Sequence, residues 1–304
     1  IAPQRTDRRS EEMSLRFPRS TRAASLAALV SLAVAGCTWL YGPEVALPKD
    51  TAEAVEKPAI GSRALLTANQ TELELASWGP ALAAAVDSLG GQVGPAQSSV
   101  VRAAIRRTYA PQRLFDRMAT SLMASWDPAA AQALFDFYQS WLGQRILRAQ
   151  AGRRDQHTLE RFQNWNASFD SSQYSATRVE LLKRIDRALL TSQTAVWLNR
   201  AYLDAGLASL AEGVGSSAGP PLRALRVRYA AEEPALYPVA ADQVLHWNLY
   251  SFAWLSDGDL EHYAAFAESQ PAQWWVVSCA RGYRVALTGA GDDLYQALRP
   301  RNSF

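Results

Sequence analysis

The residues able to do chemistry in this chain are few and scattered. His157, His246 and His262 have no partner at i, i+4, and the two cysteines, Cys37 and Cys279, form no Cys-x-x-Cys pair. A metal site needs several such ligands converging at short spacing, so this distribution gives no metal-binding pattern. Neither a G-x-S-x-G elbow nor a glycine-rich phosphate loop occurs. His262 stands beside Glu261 and near Asp257 and Asp259, a grouping that invites acid–base work. Ser256 followed by Asp259 is, however, the signature of a helix start, where acids favour the dipole, and this places His262 on the surface one turn in. Gly289-Ala290-Gly291 before Asp292-Asp293 reads as a turn and an acidic helix start. Arg106-Arg107 and Arg153-Arg154 are short charge pairs on solvated faces, not a patch. No residue is therefore assigned a catalytic, metal-binding or cofactor-binding role, and no cofactor is expected.

One cysteine has a strongly marked setting. Arg16, Arg19 and Arg22 precede an apolar run over residues 23–35, which is shorter than the roughly 20 residues that span a bilayer, and Val34-Ala35-Gly36-Cys37 closes it. The quartet resembles the lipobox of bacterial lipoproteins. That resemblance implies thioether lipidation of Cys37, cleavage before it and an acylated amino terminus. Thr38 stands where lipoproteins held in the inner membrane carry Asp, so the resemblance points to the outer membrane, on its periplasm-facing side. Ala33-Val34-Ala35 also satisfies the rule for ordinary signal cleavage, which would release a soluble periplasmic protein and leave Cys37 available to Cys279. Lipidation is the reading adopted, because a cysteine directly after Ala33-Val34-Ala35-Gly36 is a rare coincidence. Cys279, set beside Trp274-Trp275-Val276-Val277, reads as a packed, inert thiol. Residues 1–12, without a Met, read as over-translated leader ahead of the signal peptide.

The first 36 of the 304 residues hold six arginines and three acids, so the rest carries 25 basic and 26 acidic residues, a net charge of −1. Such a balance leaves no electrostatic footprint for nucleic acid. The expected partners are the membrane, through the N-terminal lipid, and an envelope protein.

Hydrophobic periodicity then supplies the scaffold. Residues 37–62 contain Pro43, Pro48 and Pro58 and read as a tether that holds the folded part about 25–30 Å from the lipid. From residue 63 onward, helical spacing dominates. Helices are expected over 72–89, 98–109, 111–125, from Asp127-Pro128 onward, over 158–166, in two pieces over 178–211, and over 222–232, 239–255, 257–268 and 271–287. Asp127 caps free amides while Pro128 supplies a fixed φ at the first helical position. Ala130, Leu134, Phe137 and Trp141 follow as one apolar stripe. Residues 213–221 (GVGSSAGPP) form the clearest internal break, separating a first helical half at 63–212 from a second at 222–298, with a tail at 299–304.

An internal echo crosses that break. Residues 126–144 align without gaps on 255–273, so that Asp127 falls on Ser256, Phe137 on Phe266, Ser140 on Ser269, Gly143 on Ala272 and Gln144 on Gln273. In both stretches a capped start leads to an aromatic residue, then a Ser, then a small residue. The expected geometry is a helix that stops or bends at the Ser, which caps the next helix, while Gly143 or Ala272 lets backbones approach. These residues resemble the domain-of-unknown-function family 2059 (DUF2059), whose hallmark aromatic-x-Ser-x-x-Gly is matched within the stretch Phe137 to Gln144. The likeness is good over residues 70–150 and weaker over 230–285, where Ala272 replaces the Gly and Pro271 intervenes. It implies an exported helical domain and supplies no catalytic residues.

The expected fold is all-α, a multi-helix bundle of two related halves. The expected function is that of a non-catalytic interaction or binding module of the bacterial cell envelope. The alternatives are an envelope hydrolase, or a carrier holding an apolar ligand in a groove lined by some of the ten tryptophans. Of these, Trp126, Trp141, Trp247, Trp254, Trp274 and Trp275 lie near the echo and are expected to fill the core.

Overall fold

The computed structural model describes residues 60–88, 95–152, 155–213 and 219–299, and these are all-α, without a strand. Cys37, the signal peptide, nearly all of the tether, Arg153-Arg154 and residues 300–304 lie outside the described residues. The helices are α1 (Ser62–Ala68), α2 (Thr71–Ser88), α3 (Pro95–Thr108), α4 (Pro111–Met123), α5 (Pro128–Gln139), α6 (Trp141–Ala151), α7 (Gln156–Ala167), α8 (Ala176–Leu189), α9 (Thr191–Gly213), α10 (Gly219–Ser251), α11 (Asp257–Ala267) and α12 (Gln270–Leu298). None of the described helices is long and apolar enough to cross a membrane.

Two of them are longer than their sequences suggest. Helix α10 runs unbroken through Pro234 and Pro238, where the expectation was a gap over 233–238. Each proline removes one backbone hydrogen bond, but Leu236 and Ala240 on the same stretch are buried in the core, and that packing holds the helix together. It begins at Gly219, so Pro220 and Pro221, expected in the break, occupy its first turn, where a proline loses nothing. Helix α12 runs through Gly289–Asp293 instead of turning there. The reason is tertiary. Gly291 lies against α9 so closely that a Cβ on it would sit 2.7 Å from the carbonyl oxygen of Ala205, and the Ser209 hydroxyl lies 2.7 Å from the Gly291 carbonyl. The glycine that looks like a turn residue is a helix-crossing residue.

Helix α12 is about 43 Å long at 1.5 Å per residue, and it is the axis on which the rest is assembled. It packs along α9 and α4 and also touches α3, α5, α8 and α11. The main core joins α1 to α5 with α9, α10 and α12 through Leu75, Leu82, Ile105, Met118, Leu122, Leu134, Leu207, Trp275 and Leu287. It therefore draws on residues from both sides of 213–221. A second, smaller core joins α6, α8, the end of α10 and α11 through Ile146, Leu181, Ile185, Leu249, Phe252 and Leu260. Phe137 and Phe266 pack on both cores and form the seam between them. Helix α7 has no buried residue and leans on α10 through Phe162 and Trp165, which meet Trp247 and Tyr250.

Candidate functional site

Residues of both echo stretches lie at that seam. Asp127 caps α5 by accepting the Ala130 amide at 3.0 Å, with Pro128 in the first turn. Ser256 caps α11 in a full capping box with Asp259. Phe137 and Phe266, the matched aromatics, stack on each other with ring centroids 3.4 Å apart and planes 6° from parallel. At the first junction α5 ends, Ser140 turns to extended backbone, and its hydroxyl oxygen accepts the Gly143 amide at 3.1 Å while donating to the Phe137 carbonyl at 2.6 Å. At the second, Ser269 holds the same backbone position before α12, but its side chain makes no capping bond, contrary to expectation. Pro271 has removed one of the amides that it would cap. Gln144 and Gln273 complete the match, each donating its carboxamide to the carbonyl six residues back, Tyr138 at 2.6 Å and Ala267 at 2.8 Å. These residues are joint and filler, and they hold no opening to solvent chemistry.

Beside the seam lies a cavity of about 90 Å³. Its walls are Ile146, Ile185, Phe252, Phe266 and Trp275, and its polar lining includes Asn69, Glu74, Tyr138, Tyr283 and Cys279. The buried Glu74 carboxylate accepts the Tyr283 hydroxyl at 2.7 Å, tying α2 to α12. Burial, with Tyr263 and Cys279 nearby, pushes the Tyr138 phenol well above its ordinary pKa, so it stays protonated at neutral pH. The volume is below the roughly 150 Å³ that admits a benzene ring and far below the 300–1,000 Å³ of metabolite pockets.

The tryptophans divide in a way the sequence does not foretell. Trp247 and Trp275 are buried as expected, and Trp126 packs edge-on against Trp274 with centroids 5.7 Å apart. Trp141 and Trp254, expected in the core, stand 60% and 43% exposed. The helical stripe Ala130, Leu134, Phe137 stops with α5, and the bend at Ser140 swings Trp141 out of it. Trp254 sits on the tight turn between α10 and α11. Between these two indoles stands the Arg145 guanidinium, its central carbon 4.3 Å from the Trp141 ring and 3.9 Å from the Trp254 ring. Arg145 is one turn after Trp141 on α6, so the i, i+4 relation makes one contact and tertiary packing makes the other.

The turn carrying Trp254 is held from behind. Arg178, at the start of α8, donates to the carbonyls of Phe252 at 2.5 Å and Leu255 at 3.0 Å and to the Asp257 carboxylate at 2.8 Å. Its side chain is only 12% exposed, so these bonds are sheltered from water. Arg145, Arg148, Ala149 and Trp254 line a shallow depression of about 340 Å³. Among the described residues neither the Arg145 nor the Arg148 guanidinium forms a hydrogen bond or ion pair, whereas Arg184 engages both Glu261 and Glu268. The sequence signal that could have found this platform is the pair Trp141 and Arg145 at i, i+4 directly after a predicted bend.

The histidines do not converge. His157 and His262 are exposed, and His246 on α10 lies 2.8 Å from the Asn166 side-chain oxygen on α7 and against Phe169. Among the described residues no three His, Cys, Asp or Glu side chains are grouped to hold a metal. Comparison with protein-family models, curated proteins and solved structures finds no match.

Proposed function

We propose that the chain is a lipoprotein tethered through Cys37 to the periplasm-facing side of the bacterial outer membrane and that it works there as a non-catalytic interaction module. The observation that carries this reading is the Trp141–Arg145–Trp254 platform. Tryptophan and arginine dominate the energetics of contact surfaces, and exposed indoles ordered by a clamped backbone contribute contact area at low entropic cost. A carrier calls for an enclosed, apolar, tryptophan-lined cavity of several hundred Å³; the interior cavity offers about 90 Å³, and the wider depressions of about 500 Å³ beside Trp197 and about 340 Å³ beside Trp254 are open and edged by charged side chains such as Arg200, Asp204 and Glu233 or Arg145 and Arg148. The lipid anchor and the outer-membrane address rest on the residues around Cys37, and relation to the DUF2059 family rests on the aromatic-x-Ser-x-x-Gly stretch. We further read the two helix–Ser–helix junctions as copies of one ancestral unit, on the strength of their matched carboxamide bonds and stacked phenylalanines.

Two measurements test the reading. Membranes from cells expressing the parent chain retain it through a wash at about 1 M salt, where the Debye length falls to about 3 Å, while the Cys37→Ser chain is released. Equal retention of both removes the anchor. The purified Cys37→Ser chain binds washed envelope fractions in low salt, and Trp141→Ala with Trp254→Ala weakens that binding about 30-fold, the loss of one strong contact-surface anchor. Undiminished binding by the double variant removes the platform from the proposal.

A further inference from the structure

We infer that the platform is an anion-recognition site whose occupant is the phosphate of an anionic phospholipid headgroup. This rests on the platform being the contact surface and adds what it contacts. The Arg145 guanidinium lies over both indole rings, and its N–H donors form the fork that matches phosphate oxygens. Arg148, three residues on, borders the same depression, so two positive charges face one shallow site. Neither guanidinium forms an ion pair with a protein acid among the described residues. The charge of Arg145 does reach Asp259. That carboxylate is already taken up by the Ser256 hydroxyl at 2.7 Å and the Ser256 amide at 3.0 Å, inside the α11 capping box.

The depression is open, and its four lining residues come from the outer side of α6 and one turn, with no groove to hold an extended peptide backbone. Two half-exposed indoles flanking a cation are instead the composition of a membrane–water interface, where indole rings sit at headgroup level and basic side chains meet lipid phosphates. A lipid at Cys37 would keep the platform within reach of such headgroups, so a weak contact would be heavily populated by effective concentration. The platform would then set which face of the helical body lies against the bilayer.

The test uses the full chain carrying Cys37→Ser and two protein-free vesicle preparations, pure phosphatidylcholine and a mixture rich in phosphatidylglycerol, in a sedimentation assay at low salt. The expected result is binding to the phosphatidylglycerol vesicles only. Arg145→Ala weakens it about five-fold, and the Arg145→Ala, Arg148→Ala pair about 25-fold, from the usual contribution of a basic residue at an anionic surface. Trp141→Ala weakens it with an unchanged far-ultraviolet circular dichroism spectrum, and Arg145→Lys, which keeps the charge, retains more binding than Arg145→Ala. Binding to neither vesicle type, equal binding to both, or binding indifferent to the arginine substitutions overturns the inference. If the chain ignores vesicles yet still binds envelope fractions through Trp141 and Trp254, the interaction-module reading stands with an acidic protein partner and only the lipid is wrong. If both bindings are absent, both readings fall.

Discussion

Gly143→Ala is expected to be among the most damaging single-methyl additions available to this protein. A Cβ built at that position lies 2.0 Å from the Phe137 carbonyl oxygen, 2.8 Å from the Phe137 carbonyl carbon and 2.9 Å from the Tyr138 Cα. All three neighbours are backbone, so no side chain can rotate away. Relief requires α5 and α6 to open about the Ser140 bend by more than 1 Å. Opening lengthens the Ser140 hydroxyl contact with the Gly143 amide and the Gln144 bond to the Tyr138 carbonyl, and it pulls Phe137 off Phe266 at the seam. Overpacking costs about 1–3 kcal/mol, and loss of a part-buried hydrogen bond about 1 kcal/mol. The expected destabilisation is thus about 3 kcal/mol, a large share of the 5–15 kcal/mol typical of a folded domain. Urea unfolding followed by circular dichroism measures it as a lower midpoint at unchanged m-value. Ala272→Gly, at the matched position of the second junction, serves as the control and loses only about 1 kcal/mol of helix propensity. A Gly143→Ala protein within about 0.5 kcal/mol of the parent would refute the idea that this residue sets the bend.

Three further outcomes follow from the geometry. Arg178→Ala removes sheltered, charge-assisted bonds to two carbonyls and one carboxylate; it costs about 2–4 kcal/mol in the same unfolding assay and weakens platform binding although both indoles remain. Burial holds the His246 pKa below its ordinary value of 6.5, so the folded state binds fewer protons than the unfolded chain once pH falls below that value. Stability therefore declines as pH drops from about 7 through 6, and His246→Gln removes that part of the decline, measured as the difference in unfolding midpoint between the two pH values. Ser256→Ala breaks the α11 capping box and costs about 1 kcal/mol, read in the same unfolding experiment; a smaller loss than about 0.3 kcal/mol would show that the α10–α11 turn is held by Arg178 without it.

The outcome at individual residues tells how far local reasoning reached. Asp127, Pro128 and Ser256 start helices because capping is a contact between neighbours three residues apart, visible in the sequence itself. Ser140 and Gly143 shape a bend for the same reason. The echo placed Phe137 opposite Phe266 in an alignment, yet nothing in it said that the two rings would touch, since that contact spans both cores. Gly289 and Gly291 misled in the other direction, because a glycine has the same local signature whether it frees a turn or lets two helices cross.

Helical periodicity was enough to settle the all-α class, since burial of one stripe per helix is a property of spacing along the chain. Which indoles would be core and which would face water was decided only when α6 and the α10–α11 turn came together around Arg145. That choice depends on distances between residues more than a hundred positions apart, and no periodicity encodes them.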